Sequence, residues 1–192
     1  MAVIIVGNPA VFAIESSITE AYERLSQRAL GYFVIHVSGK SYGIRSPEAT
    51  LLACSFDAVR ERISRRGMHS VSFGVEPDAT RIVDAYLAVT YHDGRQDETF
   101  FGMPANAIEE AILSKEIVWA PDGDAAFDDG SHILQFDALD RVRLIAFKNE
   151  GSAENIMGTL AEVWVGADEF YGILDDWQRR FEAERVAVLS RP

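Results

Sequence analysis

The chain changes hydrophobic period along its length without settling into the strand–helix–strand alternation that a parallel sheet requires. Residues 2–6 are a short apolar run. Residues 11–18 (VFAIESSI) place Phe12, Ile14, Ser16 and Ile18 at every second position, the spacing of a half-buried strand. Ile14, Ile18, Tyr22 and Leu25 also fit a helical face, so we read a strand followed by a helix over about 19–30. Residues 32–38 (YFVIHVS) are β-branched and aromatic, and Gly39-Lys40 turns them toward Tyr42–Ile44 as a hairpin. Further strands are predicted at 98–102, Ile117–Trp119, His132–Phe136, Arg141–Phe147 and Ala161–Val165, with Asp137–Asp140 as a second hairpin turn.

Helical spacing interrupts these strands irregularly. Ser46-Pro47 has the cap-plus-proline chemistry of a helix start, and Leu52, Phe56, Val59 and Ile63 follow on one face. Gly67 ends that helix, and Arg60, Arg62, Arg65 and Arg66 crowd its last turns, where cations are favoured. Pro77 opens a helix with Ile82, Val83, Tyr86 and Leu87 inward, and 104–113 is a short one. Phe170, Ile173, Leu174, Trp177 and Phe181 share one face of a final helix whose first turn holds Asp168 and Glu169. This order predicts an α+β fold, a mainly antiparallel sheet packed with several amphipathic helices, in a single domain over residues 1–192. A chain of that length buries about 70% of its unfolded surface and needs no disulfide or metal to fold. Its one cysteine, Cys54, excludes an intramolecular disulfide.

Charge narrows the function. The net charge is −12, which opposes direct binding of nucleic acid or of an anionic membrane surface. Residues 1–75 carry eight basic and six acidic side chains; the remainder carries ten and twenty-four. Within 93–140, twelve acids face only Arg95 and Lys115. Such a surface keeps a protein soluble and also steers a basic partner toward it. The opening MAVIIVG is too short and uncharged for a signal peptide, and no stretch approaches the ~20 apolar residues of a membrane helix. A cytoplasmic location is expected.

Catalytic signatures are missing: no phosphate-binding glycine loop, no nucleophile elbow and no paired-histidine zinc motif. His36, His69, His92 and His132 are each isolated in sequence, and Cys54 reads as a small buried hydrophobe. Trp119, Trp164 and Trp177 read as core or rim residues. The densest feature is Trp119–Phe136 (WAPDGDAAFDDGSHILQF), with Asp122, Asp124, Asp128 and Asp129. Counted from Asp122, a calcium loop would want Gly sixth and Glu twelfth, but Phe127 and Ile133 stand there. Neither metal nor cofactor is expected. A hydrolase using carboxylates around Asp122–Asp129, or a cation- or ligand-sensing module, remains as an alternative class.

The segments Gly7–Glu15, Gly31–Gly43, Ala49–His69, Trp119–Lys148 and Phe170–Glu182, in this order, resemble the immunity protein 42 family of bacterial polymorphic-toxin systems. The resemblance spans most of the chain and contains no catalytic signature. It implies a non-enzymatic antidote that binds a cognate toxin domain and blocks it. The acidity suits a basic toxin, a nuclease being the class that best matches, since domains acting on nucleic acid are basic. The expected contacts are Asp122, Asp124, Asp128 and Asp129, with Asp93, Asp97 and Glu98 secondary. The oligomeric state and the identity of the toxin are left open.

Overall fold

The computed structural model describes residues 3–91, 98–119, 125–149, 151 and 153–190. The fold is α+β and both main sheets are antiparallel. The first contains β1 (Val3–Asn8), β2 (Phe12–Ala21), β3 (Ala29–Val37) and β4 (Lys40–Tyr42) in that order, and β5 (Thr50–Leu51) pairs with the start of β3. Helices α1 (Ala53–Ser64) and α2 (Ala79–Tyr91) follow, then the hairpin β6 (Thr99–Phe100) and β7 (Met103–Pro104), and helix α3 (Ala105–Ser114). The second sheet holds β8 (Ser131–Ala138), β9 (Arg141–Lys148) and β10 (Ala161–Gly166), ordered β10-β9-β8. Helix α4 (Ala153–Thr159) links β9 to β10, and α5 (Ala167–Leu189) closes the chain.

Two apolar clusters share the second sheet. Ile133, Val142, Leu144 and Ala146 face the first cluster, with Phe12, Ile14, Phe33 and Ile35 of the first sheet, Phe56 and Val59 of α1, and Phe170, Leu174, Trp177 and Phe181 of α5. Leu134, Phe136, Ile145 and Phe147 face the second, with Ile82, Val83 and Tyr86 of α2 and Ile108 and Ile112 of α3. Strands β8 and β9 are therefore buried on both faces, and the polar side chains they carry there, such as Gln135, Asp137 and Arg143, are hydrogen-bonded. Trp177 sits against Phe33, Phe56 and Phe181 at ring separations of 5.1, 6.1 and 5.3 Å. Each such pair contributes about 0.5–1.5 kcal/mol beyond its buried area.

Several expectations are met. The inward faces of α1, α2 and α5 are those the spacing indicated, and Gly67 takes a φ of +82° after α1. The β8–β9 hairpin turns at Leu139-Asp140. Two helix readings are corrected. No helix covers 19–30: β2 runs to Ala21, shifts register between Ile18 and Glu20, and pairs with β3 down to Ala29. Pairing with β3, which runs on past the end of the pairing with β1 at Ser17, outweighs a spacing that satisfied either period, and Leu25 is left exposed. The α1 helix starts at Ala53 rather than at Ser46-Pro47, because Thr50–Leu51 first pair with Leu30 and Gly31. That crossing needs Gly31, where a Cβ would lie 1.9 Å from the Ser17 carbonyl oxygen. Residues 117–119 make a single bridge, Val118 to Leu134, rather than a full strand.

Candidate partner-binding surface

Trp119 and Phe127, which flank Asp122 and Asp124 in the sequence, are buried aromatics. Trp119 packs on Phe12 and Phe170, and Phe127 meets Phe33 edge-on at 6.1 Å. The Ile44 N–H donates to the Ala126 carbonyl at 2.8 Å, fastening the turn Ala125–Phe127 beside the end of the first sheet. Asp128 follows and is exposed. Asp129 is half-buried: one oxygen accepts from the Ser131 N–H at 3.2 Å, and the other pairs with Lys148 Nζ at 2.7 Å. Since Ser131 and Lys148 are register partners, this carboxylate closes the base of the β8–β9 hairpin. Glu98 is exposed, and its backbone carbonyl accepts from Ala105 N at 3.0 Å. Asp128 and Asp129 are thus brought together, whereas Glu98 stands on the approach to the β6–β7 hairpin. Asp93, Asp97, Asp122, Asp124 and His92 lie outside the described residues.

A buried polar network lies against Glu116–Trp119. Arg62, on the inner face of α1, donates to Gln135 Oε1 at 3.0 Å, to the Val118 carbonyl at 2.6 Å and to the Glu116 carbonyl at 3.3 Å. Its guanidinium carbon lies 5.2 Å from the centre of the Trp119 ring. Beyond it, Asp137 accepts from Gln135 Nε2 at 3.1 Å, the Tyr171 hydroxyl at 2.9 Å and the His69 N–H at 3.2 Å. His69 is fully buried; its Nδ1 faces the Lys115 carbonyl at 2.9 Å and carries the proton. Burial first, and then the charge of Arg62, hold its pKa below the usual histidine value. Burial, with Asp137 adding to it, pushes the Tyr171 phenol up.

A second network lies on the first sheet. Glu15 accepts from the Tyr32 hydroxyl at 2.9 Å and from Arg45 at 2.6 Å, and meets His36 Nε2 at 3.0 Å. Burial raises the Glu15 pKa, but the hydrogen bonds from His36 and Tyr32 and the charge of Arg45 outweigh it and hold the carboxyl below its ordinary range. Asp78, which caps α2 by accepting from Thr80 Oγ1 and the Arg81 N–H, is also held low. Glu15 and Asp78 are therefore both shifted away from general-acid chemistry.

Among the described residues, no cluster of three or more His, Cys, Asp or Glu could hold a metal ion. No helix among them is long and apolar enough to cross a membrane. Cys54 is exposed, contrary to the expectation of a buried hydrophobe, because it lies on the outer face of α1 opposite Phe56 and Val59. Trp119 and Trp177 are core residues. Trp164 is half-buried at the rim, between the guanidinium groups of Arg141 and Arg143 at 5.2 and 5.4 Å. Sequence reasoning missed the buried arginines. The one signal was Arg62 three residues after Val59, on the inward face of α1.

A family model described as immunity protein 42 matches residues 4–180. Among solved structures, the crystal structure of CdiI from Burkholderia dolosa AUO158 matches with a TM-score of 0.58 and 17% identity, over 92% of this chain and 99% of that one. At that identity the likeness is one of fold. None of the curated proteins matches the chain.

Proposed function

Because the chain belongs to the immunity protein 42 family, we propose that it neutralises a cognate toxin domain by binding it, and that the toxin is basic. The family match over residues 4–180 carries the reading, and the charge supports its second half. Residues 76–192 hold twenty-four acids against ten bases, a field that speeds encounter with a basic domain. A nuclease, itself built to hold phosphates, is the toxin class we propose, with carboxylates of this chain standing where phosphates would. The contacts we propose are Asp122, Asp124, Asp128 and Asp129, with Asp93, Asp97 and Glu98 around them. Asp128 is exposed for that role; Asp129, tied to Lys148 and Ser131, orients the turn. The chain acts by occlusion rather than by reaction, inside the cytoplasm where the toxin would strike.

The test is the affinity of the purified chain for the toxin domain encoded beside its gene, measured across salt concentration. The association rate is expected to fall steeply from 50 to 500 mM salt. Asp128→Lys is expected to slow association several-fold while leaving the melting temperature within about 2 °C, as surface substitutions do. Asp129→Ala is expected to cost about 1–2 kcal/mol of stability, from a lost hydrogen bond and a half-buried ion pair. A salt-independent rate would overturn the electrostatic part, and no complex at all would overturn the reading.

A further inference from the structure

The tip of the β8–β9 hairpin is built in an unusual way. Ala138 pairs with Arg141, leaving a two-residue turn of Leu139-Asp140, and Leu139 has a φ of +56°. Glycine or asparagine ordinarily occupies that backbone region, and a bulky side chain there is strained. Among the described residues, four other non-glycine residues share the feature. Arg28 is buried over Phe56, Phe101 stacks on Phe73 and Glu116 pairs with Arg65, so each gains a contact. Ser38 is small, and its N–H donates to the Val11 carbonyl. Leu139 gains nothing within the chain: it is 103% exposed, the most exposed large apolar side chain among the described residues.

The tip is also tied to α5 and adjoins a hollow. The Ala167 N–H, opening α5, donates to the Asp140 carbonyl at 2.7 Å and locks the turn. An open cavity of about 450 Å³ lies beside it, walled by Leu139, Ala138, Val75, Trp164 and Arg141. Val75 is 48% exposed, and Arg143 fixes its loop by donating to the carbonyls of Gly74, Val75 and Pro77. Trp164 and Arg141, which wall the hollow beside the projecting leucine, are of the residue types enriched in interface hot spots. The Ala167–Asp140 hydrogen bond sets the first turn of α5 beside the tip, so exposed Asp140 and Glu169 stand near Leu139, while Asp168 pairs with Arg66.

We infer that Leu139 and the adjoining cavity are a docking site for the toxin domain, which seats an apolar surface over Leu139 and sets basic side chains against Asp140 and Glu169. The inference rests on the toxin-neutralising reading and adds a second, apolar contact to the acidic one. The strain at Leu139 is then retained because the side chain serves the partner rather than the fold.

The test compares Leu139→Asn and Leu139→Gly with the unmodified chain, reading both melting temperature and affinity for the toxin domain encoded beside the gene. Both substitutes accept a positive φ, so the variants are expected to melt at the same temperature or higher. Their affinity is expected to fall at least tenfold, mainly through faster dissociation. Val75→Ser, across the cavity, should weaken binding at least threefold. Affinities within twofold of the unmodified chain would overturn the inference while leaving the toxin-neutralising reading intact. Loss of self-association with unchanged toxin affinity would overturn it in favour of a second copy of this chain. If the unmodified chain forms no complex, both readings fall together.

Discussion

Replacing Arg62 with methionine tests whether its network with Gln135, Glu116 and Val118 is formed. Methionine keeps much of the volume and the apolar stem but removes every donor. Two well-placed acceptors, Gln135 Oε1 at 3.0 Å and the Val118 carbonyl at 2.6 Å, lose their hydrogen bonds. Each orphaned buried acceptor costs about 1–3 kcal/mol. The contact over Trp119 adds about 0.5–1 kcal/mol. Against this, a cation that burial disfavours is removed. That gain is realised in full only when all the partners are replaced as well, and here the acceptors stay behind. The loss therefore wins, at about 3 kcal/mol net, which corresponds to about 6–12 °C in melting temperature for a chain of this size. Urea unfolding at pH 7.5, followed by far-ultraviolet circular dichroism, measures it. The double variant Arg62→Met/Gln135→Leu should show coupling of at least 1 kcal/mol, since Gln135 Oε1 no longer needs a donor. A single-variant loss below 1 kcal/mol would refute the bonding described.

Three further outcomes are expected. Gly31→Ala should cost more than 3 kcal/mol or prevent soluble expression, because its Cβ would meet the Ser17 carbonyl oxygen at 1.9 Å; a melting temperature within 3 °C of the unmodified chain would contradict the β2–β3–β5 register. Stability should fall on the acid side in two windows. His69 titrates lower when folded than unfolded, so stability is lost as pH drops below about 6.5; Glu15 also titrates lower when folded, so its share is present above about pH 4.5 and lost as pH falls through the folded value. Urea midpoints flat from pH 7.5 to 5 would contradict the first assignment, and midpoints flat from pH 5 down to 2.5 the second. Finally, Cys54 should react stoichiometrically with a small aromatic disulfide in native buffer, and reaction only after denaturant would place it inside.

The elements legible in the sequence are those set by local periodicity. Phe56 and Val59 on α1, and Phe170, Leu174, Trp177 and Phe181 on α5, repeat at helical spacing and are buried as that spacing requires. The β8–β9 hairpin announces itself by two apolar runs around a short turn. What misled was decided by distant partners. Ile14 and Ile18 satisfy both periods, and only the pairing of β2 with β1 and β3 settles which applies. Ser46-Pro47 has sound capping chemistry, yet Thr50–Leu51 are claimed by β3 twenty residues upstream. Buried arginines are the hardest to foresee, since their acceptors are backbone carbonyls that no residue type marks. Arg185, for example, gathers the carbonyls of Tyr22, Glu23 and Arg28 and fixes the β2–β3 turn where a helix was expected. The family was legible because its segments are spread over most of the chain in a fixed order, and the matched span of 4–180 agrees. At the candidate surface, the run of aspartates was visible, but which of them are engaged was not: the Lys148 that holds Asp129 is nineteen residues away. The hairpin turn was visible too, but not the positive φ that sets Leu139 apart.

The central claim is that this chain disarms a toxin by binding it. The most direct measurement is survival of bacteria expressing the toxin domain encoded beside its gene, with and without this chain, paired with size-exclusion chromatography of the two purified proteins. The account predicts full rescue of growth and a stable stoichiometric complex. Death of cells that contain the folded chain at normal abundance, with the two proteins eluting separately, would contradict it.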